Sequence, residues 1–570
     1  MIRHIRRRPA VTLIAGVAAA LALSGTVSGQ SSVEEPAPIV AGRAAPPGTY
    51  GGVDVVHYDV VLGLPAPGGT RIEGMATLRL RSTNPGAVVM HLDFTGLAVD
   101  QVTLDGATVQ ARHQDGRLTV PLPDGVGPAD TLTLVVAYHG TPDDGLILGP
   151  NVHGRPSAFV DNWPNRARFW LPSVDHPSDK ATASMTIHAP EGWQVVANGV
   201  QVDRPVAGPP VNGTPRRTWR WRTDTPLSPY NLVFGAAEMV VEPLGLAACG
   251  NAPASLRTDG CVEVSAWLFE EDRGQARRSF ARAAEMVDFY TELVGPYPFQ
   301  KLAHVQSATR FGGMENASAI FYAERALASG RNMEGTVAHE TAHQWFGDSV
   351  TQVDWPELWL SEGFATYFGH LFFEHAQGKG DFRRRMEQDR QEVLASEDVR
   401  RPVIDRREHD LFALLNDNNY PKGGWVLHML RGIVGDDAFF QAVRNYYADF
   451  AGRNATTDDF RRAVEATSRQ DLSWFFHQWL EEPGYPVISV THTWDPSSSQ
   501  AVVTVRQVQQ AGWPTFRVPL ELEFRGEEGA TGRHKVVLQG REQTFRLPTA
   551  GPTSEVRVDP DGWVLHGLAR

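Results

Sequence analysis

Cysteine is almost missing from this chain: 570 residues carry two, Cys249 and Cys261. So few thiols exclude a disulfide-built scaffold and a thiolate metal site, both of which need several cysteines at short spacing. Lysine is nearly as scarce, with five residues against 48 arginines. The longest apolar run, Ala10–Leu23, falls short of the roughly 20 residues that a bilayer-spanning helix needs. No basic stripe interleaved with aromatics occurs, and the net charge is −13, so nucleic acid is not an expected partner. There is no internal repeat.

What is present begins with an address. Arg3, Arg6, Arg7 and Arg8 precede the apolar run, and small residues follow through Val27, Ser28 and Gly29. That order of charge, apolar core and small residues reads as a secretory signal over residues 1–29, with Val27 and Gly29 suited to a cleavage site before Gln30. Its loss leaves 49 basic against 66 acidic residues, a net charge of −17. The expected compartment is periplasmic or extracellular, and membrane association is expected only if the segment is not cleaved. An exported chain makes one Cys249–Cys261 disulfide the leading reading, with two free thiols as the other.

Residues 30–50 are rich in Pro, Ala, Gly and Ser and read as a flexible leader. From Val53 short alternating runs, among them Val53–Leu64, Arg71–Leu80, Val88–Asp93 and Thr131–Tyr138, predict an antiparallel β domain over residues 51–243. The period then changes. Gln275–Val294, Pro356–Phe373, Gly423–Ile433, Asp437–Phe450 and Thr457–Glu465 carry apolar residues at helical spacing, within a mainly helical domain over 244–484. Alternation returns from Val487 through Val558, which predicts a small C-terminal β-sandwich over 485–570. The expected fold class is multidomain α+β.

The chemistry sits in the helical part, at His339-Glu340-Thr341-Ala342-His343. On a helix, histidines four apart project from one face and reach one metal ion together. The pair alone also suits an ordinary amphipathic helix. Glu362, in Trp359-Leu360-Ser361-Glu362-Gly363-Phe364, changes that balance, because a catalytic zinc takes three protein ligands and leaves one position open. The metal ligands are therefore His339, His343 and Glu362, for one zinc ion. Glu340 projects beside the metal, where a carboxylate can act as general base on water.

These residues resemble the aminopeptidase N family of gluzincin zinc peptidases, which includes leukotriene hydrolase. The resemblance rests on Gly312-Gly313-Met314-Glu315-Asn316, on Val337 to Gly347, on Trp359 to Tyr367 and on Tyr420-Pro421-Lys422-Gly423, with a weaker match from Arg168 to Pro172. It implies a thermolysin-like catalytic domain. It also implies a substrate strand over Gly312, Gly313, Met314, Glu315 and Asn316, whose Glu315 binds the free α-amino group of a peptide. Tyr420 matches the tyrosine that donates a hydrogen bond to the oxyanion. A second amine-binding residue is expected near Ala167-Arg168, but Trp163 stands there, with Asp161 two residues earlier as a possible substitute. The large helical domain that follows in many relatives has no counterpart here, which suggests a cleft open to longer peptides.

The function so implied is a secreted zinc aminopeptidase acting on peptides with a free N-terminus. Its competitors are a noncatalytic binding protein on the same fold, a zinc hydrolase of a nonpeptide bond, and an endopeptidase. Nothing in the residues sets an oligomeric state or the preferred N-terminal residue.

Overall fold

The computed structural model describes residues 40–44, 52–84, 86–127, 130–251, 260–527 and 529–569. The expected signal segment and most of the expected leader lie outside these residues. Those described belong to one compact unit, Pro38–Arg570.

Alternation builds the first sheet as expected. In Thr131–Gly140 the side chains of Leu132, Leu134, Val136 and Tyr138 point inward and are buried, because successive residues of a strand face opposite sides. Val53–Gly63 pairs antiparallel with Ile72–Ser82. It also pairs in parallel with Ala181–Pro190, Tyr58 opposite Ala183, so the nine-stranded sheet is mixed rather than purely antiparallel. A four-stranded sheet containing Pro156–Val160 and Phe234–Ala237 lies beside it in sequence.

The helical reading after residue 244 missed a sheet. Five strands, in the order Val240–Ala247, Val262–Leu268, Lys301–Ser307, Ala319–Ala323 and Gly313–Met314, open this region. The expected division at 243/244 falls inside the first of them, which pairs with Val262–Leu268. Lys301–Ser307 is buried at six consecutive positions, Leu302 to Ser307. Both faces are covered, and His304, Gln306 and Ser307 are hydrogen-bonded in the interior, so the polar residues of this strand do not mark a solvent face. Gly313–Met314 lies at the sheet's edge.

The predicted long helix Gln275–Val294 is two, Arg273–Ser279 and Ala283–Leu293. Those at the active region hold: Glu334–His343, Trp359–Gln377, Gly423–Val434, Asp436–Phe450 and Thr457–Ser468. The last starts in a capping box, Thr456 with Asp459, which satisfies two otherwise unpaired donors. Lys379–Ala395 was missed. It is so rich in charge that only a thin stripe, including Phe382, Met386 and Val393, is buried. Phe346, Phe364 and Phe460 pack the helices together, with ring centroids 4.7 and 4.9 Å apart.

From Val487 the chain forms a four-stranded and a three-stranded sheet. A disulfide joins Cys249 to Cys261. No helix among the described residues is long and apolar enough to cross a membrane.

A buried ion cluster anchors the first domain. Arg168 is fully buried, donates from Nε to Asn165 O at 2.8 Å, and pairs with Asp175 at 3.1 Å and Asp93 at 3.4 Å. Removing one partner of such a set strands the other charges in a low-dielectric interior. Arg168→Met should therefore cost about 3–5 kcal/mol, read as a lowered urea midpoint.

Candidate metal centre

Local geometry brings the three expected ligands to one point. His339 and His343 lie one turn apart on Glu334–His343, and Glu362 lies in the first turn of Trp359–Gln377. His339 Nε2 and His343 Nε2 are 3.0 Å apart, and Glu362 Oε2 is 3.3 Å from the first and 3.2 Å from the second. Ligand atoms about 2.0–2.1 Å from a tetrahedral zinc stand roughly 3.3 Å from one another, so this triangle fits a zinc ion. His343 Nδ1 is 3.0 Å from Phe346 O, so an N–H there donates to the carbonyl and Nε2 keeps its lone pair for the metal.

The charges make the same demand. Glu315, Glu340 and Glu362 are all buried. Burial, joined by repulsion from Glu315 and Glu362 but opposed by His343, pushes the Glu340 carboxyl well above the usual range. Burial likewise raises Glu315, with Glu362 adding to the effect. Glu362 goes the other way: burial opposes it, but His343 and His339 hold its carboxyl down. Burial disfavours a charged His343, yet Glu362, Glu315 and Glu340 favour positive charge there, a demand that a cation at Nε2 meets in place of a proton. Three carboxylates converging on two imidazoles are a site for a cation.

Glycine sets two of the distances. A Cβ at Gly313 would fall 2.2 Å from Glu340 Oε1, so the carboxylate rests against the edge strand's backbone. A Cβ at Gly363 would fall 2.9 Å from Gly423 Cα. The helix that carries Glu362 therefore touches the backbone just past Tyr420. Tyr420 itself lies on a π-helical turn, Asn418–Lys422, that contains Pro421 and leads into Gly423–Val434. Its ring stacks on His339, centroids 5.9 Å apart and planes 15° apart. Burial, then the nearby Glu362 and Glu315, raise its phenol well above the ordinary value, and its hydroxyl reaches Glu362.

A cleft of about 420 Å³ opens over these groups, lined by Glu315, Glu340, Tyr420 and the three ligands. Gly312 and Gly313 line it too, but Met314 and Asn316 are buried away from it, so the expected substrate strand contributes only in part. Phe311, Gly335 and Thr336 also line the cleft and were missed. Gly335 and Thr336 precede His339 by four and three residues, a same-face spacing that could have pointed to them.

Asp161 is not free to receive an amine. Its Oδ2 pairs with Arg166 at 2.9 Å and Arg310 at 3.0 Å, and Thr309 Oγ1 donates to Oδ1 at 2.8 Å. Trp163 packs edge-on against Phe311, Trp355 and Phe412, each at 5.7 Å between centroids.

Two segments match domain models of one family: residues 55–230 match the peptidase M1 N-terminal domain, and residues 278–479 match the peptidase family M1 domain. An aminopeptidase N of Streptomyces lividans is 29% identical over 499 residues, 82% of this chain and 55% of that protein. A probable aminopeptidase 1 of Sulfurisphaera tokodaii is 26% identical over 519 residues, 86% of this chain and 60% of its own. The chain thus spans about half to three-fifths of the length of the curated relatives it matches. A solved M1 zinc metallopeptidase mutant from Deinococcus radiodurans, bound to a Tyr-Ser-Ala substrate, superposes with a TM-score of 0.66. It is 26% identical, and the match covers 76% of this chain and 96% of that one.

Lys422 closes the Tyr420 turn and is fully buried, its Nζ without a hydrogen-bond partner. Burial brings its amine from 10.5 down to about 7. The folded chain then binds this proton less readily than the unfolded chain, so stability rises with pH between those values. From pH 7 to 9 this one group should contribute about 2 kcal/mol to the rise. Lys422→Met should remove this share of the pH dependence and stabilise the protein at pH 7, as measured by urea unfolding at both pH values.

Proposed function

Because the chain belongs to the peptidase M1 family, we propose that it is a zinc aminopeptidase that hydrolyses the N-terminal peptide bond of peptides. The observation that carries this reading is one cleft shared by the ligand triangle, Glu340, Tyr420 and Glu315. A zinc ion held by His339, His343 and Glu362 supplies Lewis acidity to the scissile carbonyl and to the attacking water. Glu340 accepts the proton of that water and passes it to the leaving amine. The Tyr420 hydroxyl donates a hydrogen bond to the oxyanion that develops.

Glu315 gives the exopeptidase limit. A buried carboxylate pairs favourably with a substrate ammonium, whereas an acetylated or continuing chain leaves it unpaired. The edge position of Gly313–Met314 offers backbone groups to an extended peptide. With Asp161 held by Arg166, Arg310 and Thr309, the amine is assigned to Glu315 alone. We further propose that the protein is exported. The arginine-led N-terminal segment and the disulfide support this.

The test is hydrolysis of unblocked aminoacyl substrates beside their N-acetylated counterparts, with and without a zinc chelator. Chelator-sensitive cleavage of the unblocked set alone is expected, and equal cleavage of acetylated peptides would refute the exopeptidase assignment. Glu340→Gln should abolish turnover with zinc content unchanged. Tyr420→Phe should lower kcat about 100-fold or more and leave KM nearly unchanged.

A further inference from the structure

Glu315 directly follows the edge strand Gly313–Met314, and the turn it enters is conformationally unusual. Ser318 has φ 62°, a left-handed backbone that residues with a Cβ seldom adopt unless the surroundings impose it. Those surroundings are specific. Gln344, the residue directly after the metal ligand His343, is fully buried. Its Oε1 accepts from Ser318 N–H at 2.7 Å and from the Tyr297 hydroxyl at 3.3 Å. Its Nε2 donates to Glu315 O at 2.8 Å and to Asp348 Oδ2 at 2.8 Å. One amide thus uses all its hydrogen-bonding capacity to join the end of the metal helix to the turn beside Glu315.

Three further residues close on the same turn. Asn198, from the first domain, donates to Ala317 O at 2.7 Å and to Asn231 O at 2.8 Å, while its Oδ1 accepts from Val233 N at 2.6 Å. Lys301 Nζ donates to Ser318 O at 2.9 Å and to Ala197 O at 2.8 Å. Gly199 N–H donates to Ser318 Oγ at 2.8 Å. The Glu315 carboxylate faces the cleft, so its place is set through its main chain.

We propose that Gln344 is a positioning residue that fixes the distance between the metal ligands and the amine-binding carboxylate of Glu315, with Asn198 and Lys301 completing the clamp on the Ala317-Ser318 turn. The proposal rests on the aminopeptidase reading. Misplacing a carboxylate that pairs with the substrate ammonium weakens recognition of the free amine, whereas the ligand triangle, built on His339, His343 and Glu362, is untouched.

Gln344→Met keeps the side-chain length and removes all four hydrogen bonds. The expected result is a rise in KM for unblocked substrates of about tenfold with kcat within about threefold, and an unchanged zinc content. A merely structural role would lower the active fraction, and with it kcat, without moving KM. A second readout needs no turnover: in a Glu340→Gln background, calorimetry compares leucine amide with N-acetyl-leucine amide. Gln344→Met should weaken binding of the first and leave the second unchanged, and Ser318→Gly, which suits the left-handed turn, should restore part of the loss. If Gln344→Met does not fold, Asn198→Ser carries the same expectation in smaller measure. Unchanged KM and unchanged preference for the free amine in the folded variant would overturn the clamp. Failure of the unmodified protein to prefer unblocked substrates would instead remove the aminopeptidase reading.

Discussion

Four carboxylates, those of Glu315, Glu340, Glu362 and Asp348, are buried within reach of one another's fields, and the imidazoles of His339 and His343 stand among them. In a medium of low dielectric such a group of acids is tolerable only with a compensating cation and with every remaining lone pair directed. Much of the surrounding architecture answers that constraint. Asn231 donates to Asp348 Oδ1 at 2.9 Å, Gln344 donates to Oδ2, and the backbone of Gly313 lies against Glu340. The aromatic shell of Phe346, Phe364 and Phe368 keeps the helices rigid behind the ligands. A metal here serves the fold as well as the chemistry, because it replaces protons that the acids would otherwise have to retain.

The site was legible where its chemistry is written in short segments of fixed period. His339, Glu340 and His343 follow from helical spacing, Glu362 follows from the need for a third ligand, and Tyr420 and Glu315 came through a family resemblance. Gln344 was invisible for a physical reason. A glutamine has no single role to which its type points, and its value here depends on Ser318, Tyr297 and Asp348, which only folding brings to it. Asp161 shows the opposite difficulty: an acid near the expected place is committed to Arg166 and Arg310. Period failed in two ways as well. Lys301–Ser307 buries its polar His304 and Gln306 along with its apolar residues, and Lys379–Ala395 has almost no apolar face to repeat.

Contacts across the first and second domains reach the ends of the elements that carry chemistry. Lys180 donates to Asp348 O at 2.9 Å and Ser349 O at 2.7 Å, just past the metal helix, and the Tyr230 hydroxyl donates to Gly347 O at 3.0 Å. Asn198 reaches the turn after Glu315. The first domain thus acts as part of the catalytic frame rather than as a neighbour.

The turn Asn418–Lys422 winds wider than an α-helix and runs directly into one. A π-turn spends one residue more than an α-turn to travel a similar distance along the axis. The surplus residue lets Tyr420 project toward His339 while Gly423 lies flush against Gly363. Chain length in this turn is consequently a form of stored angular information. Deleting one residue would rotate either the phenol or the glycine contact out of place by about 100°, the turn per residue of an α-helix. The number of residues in this turn is therefore as much a part of the site as the identity of Tyr420.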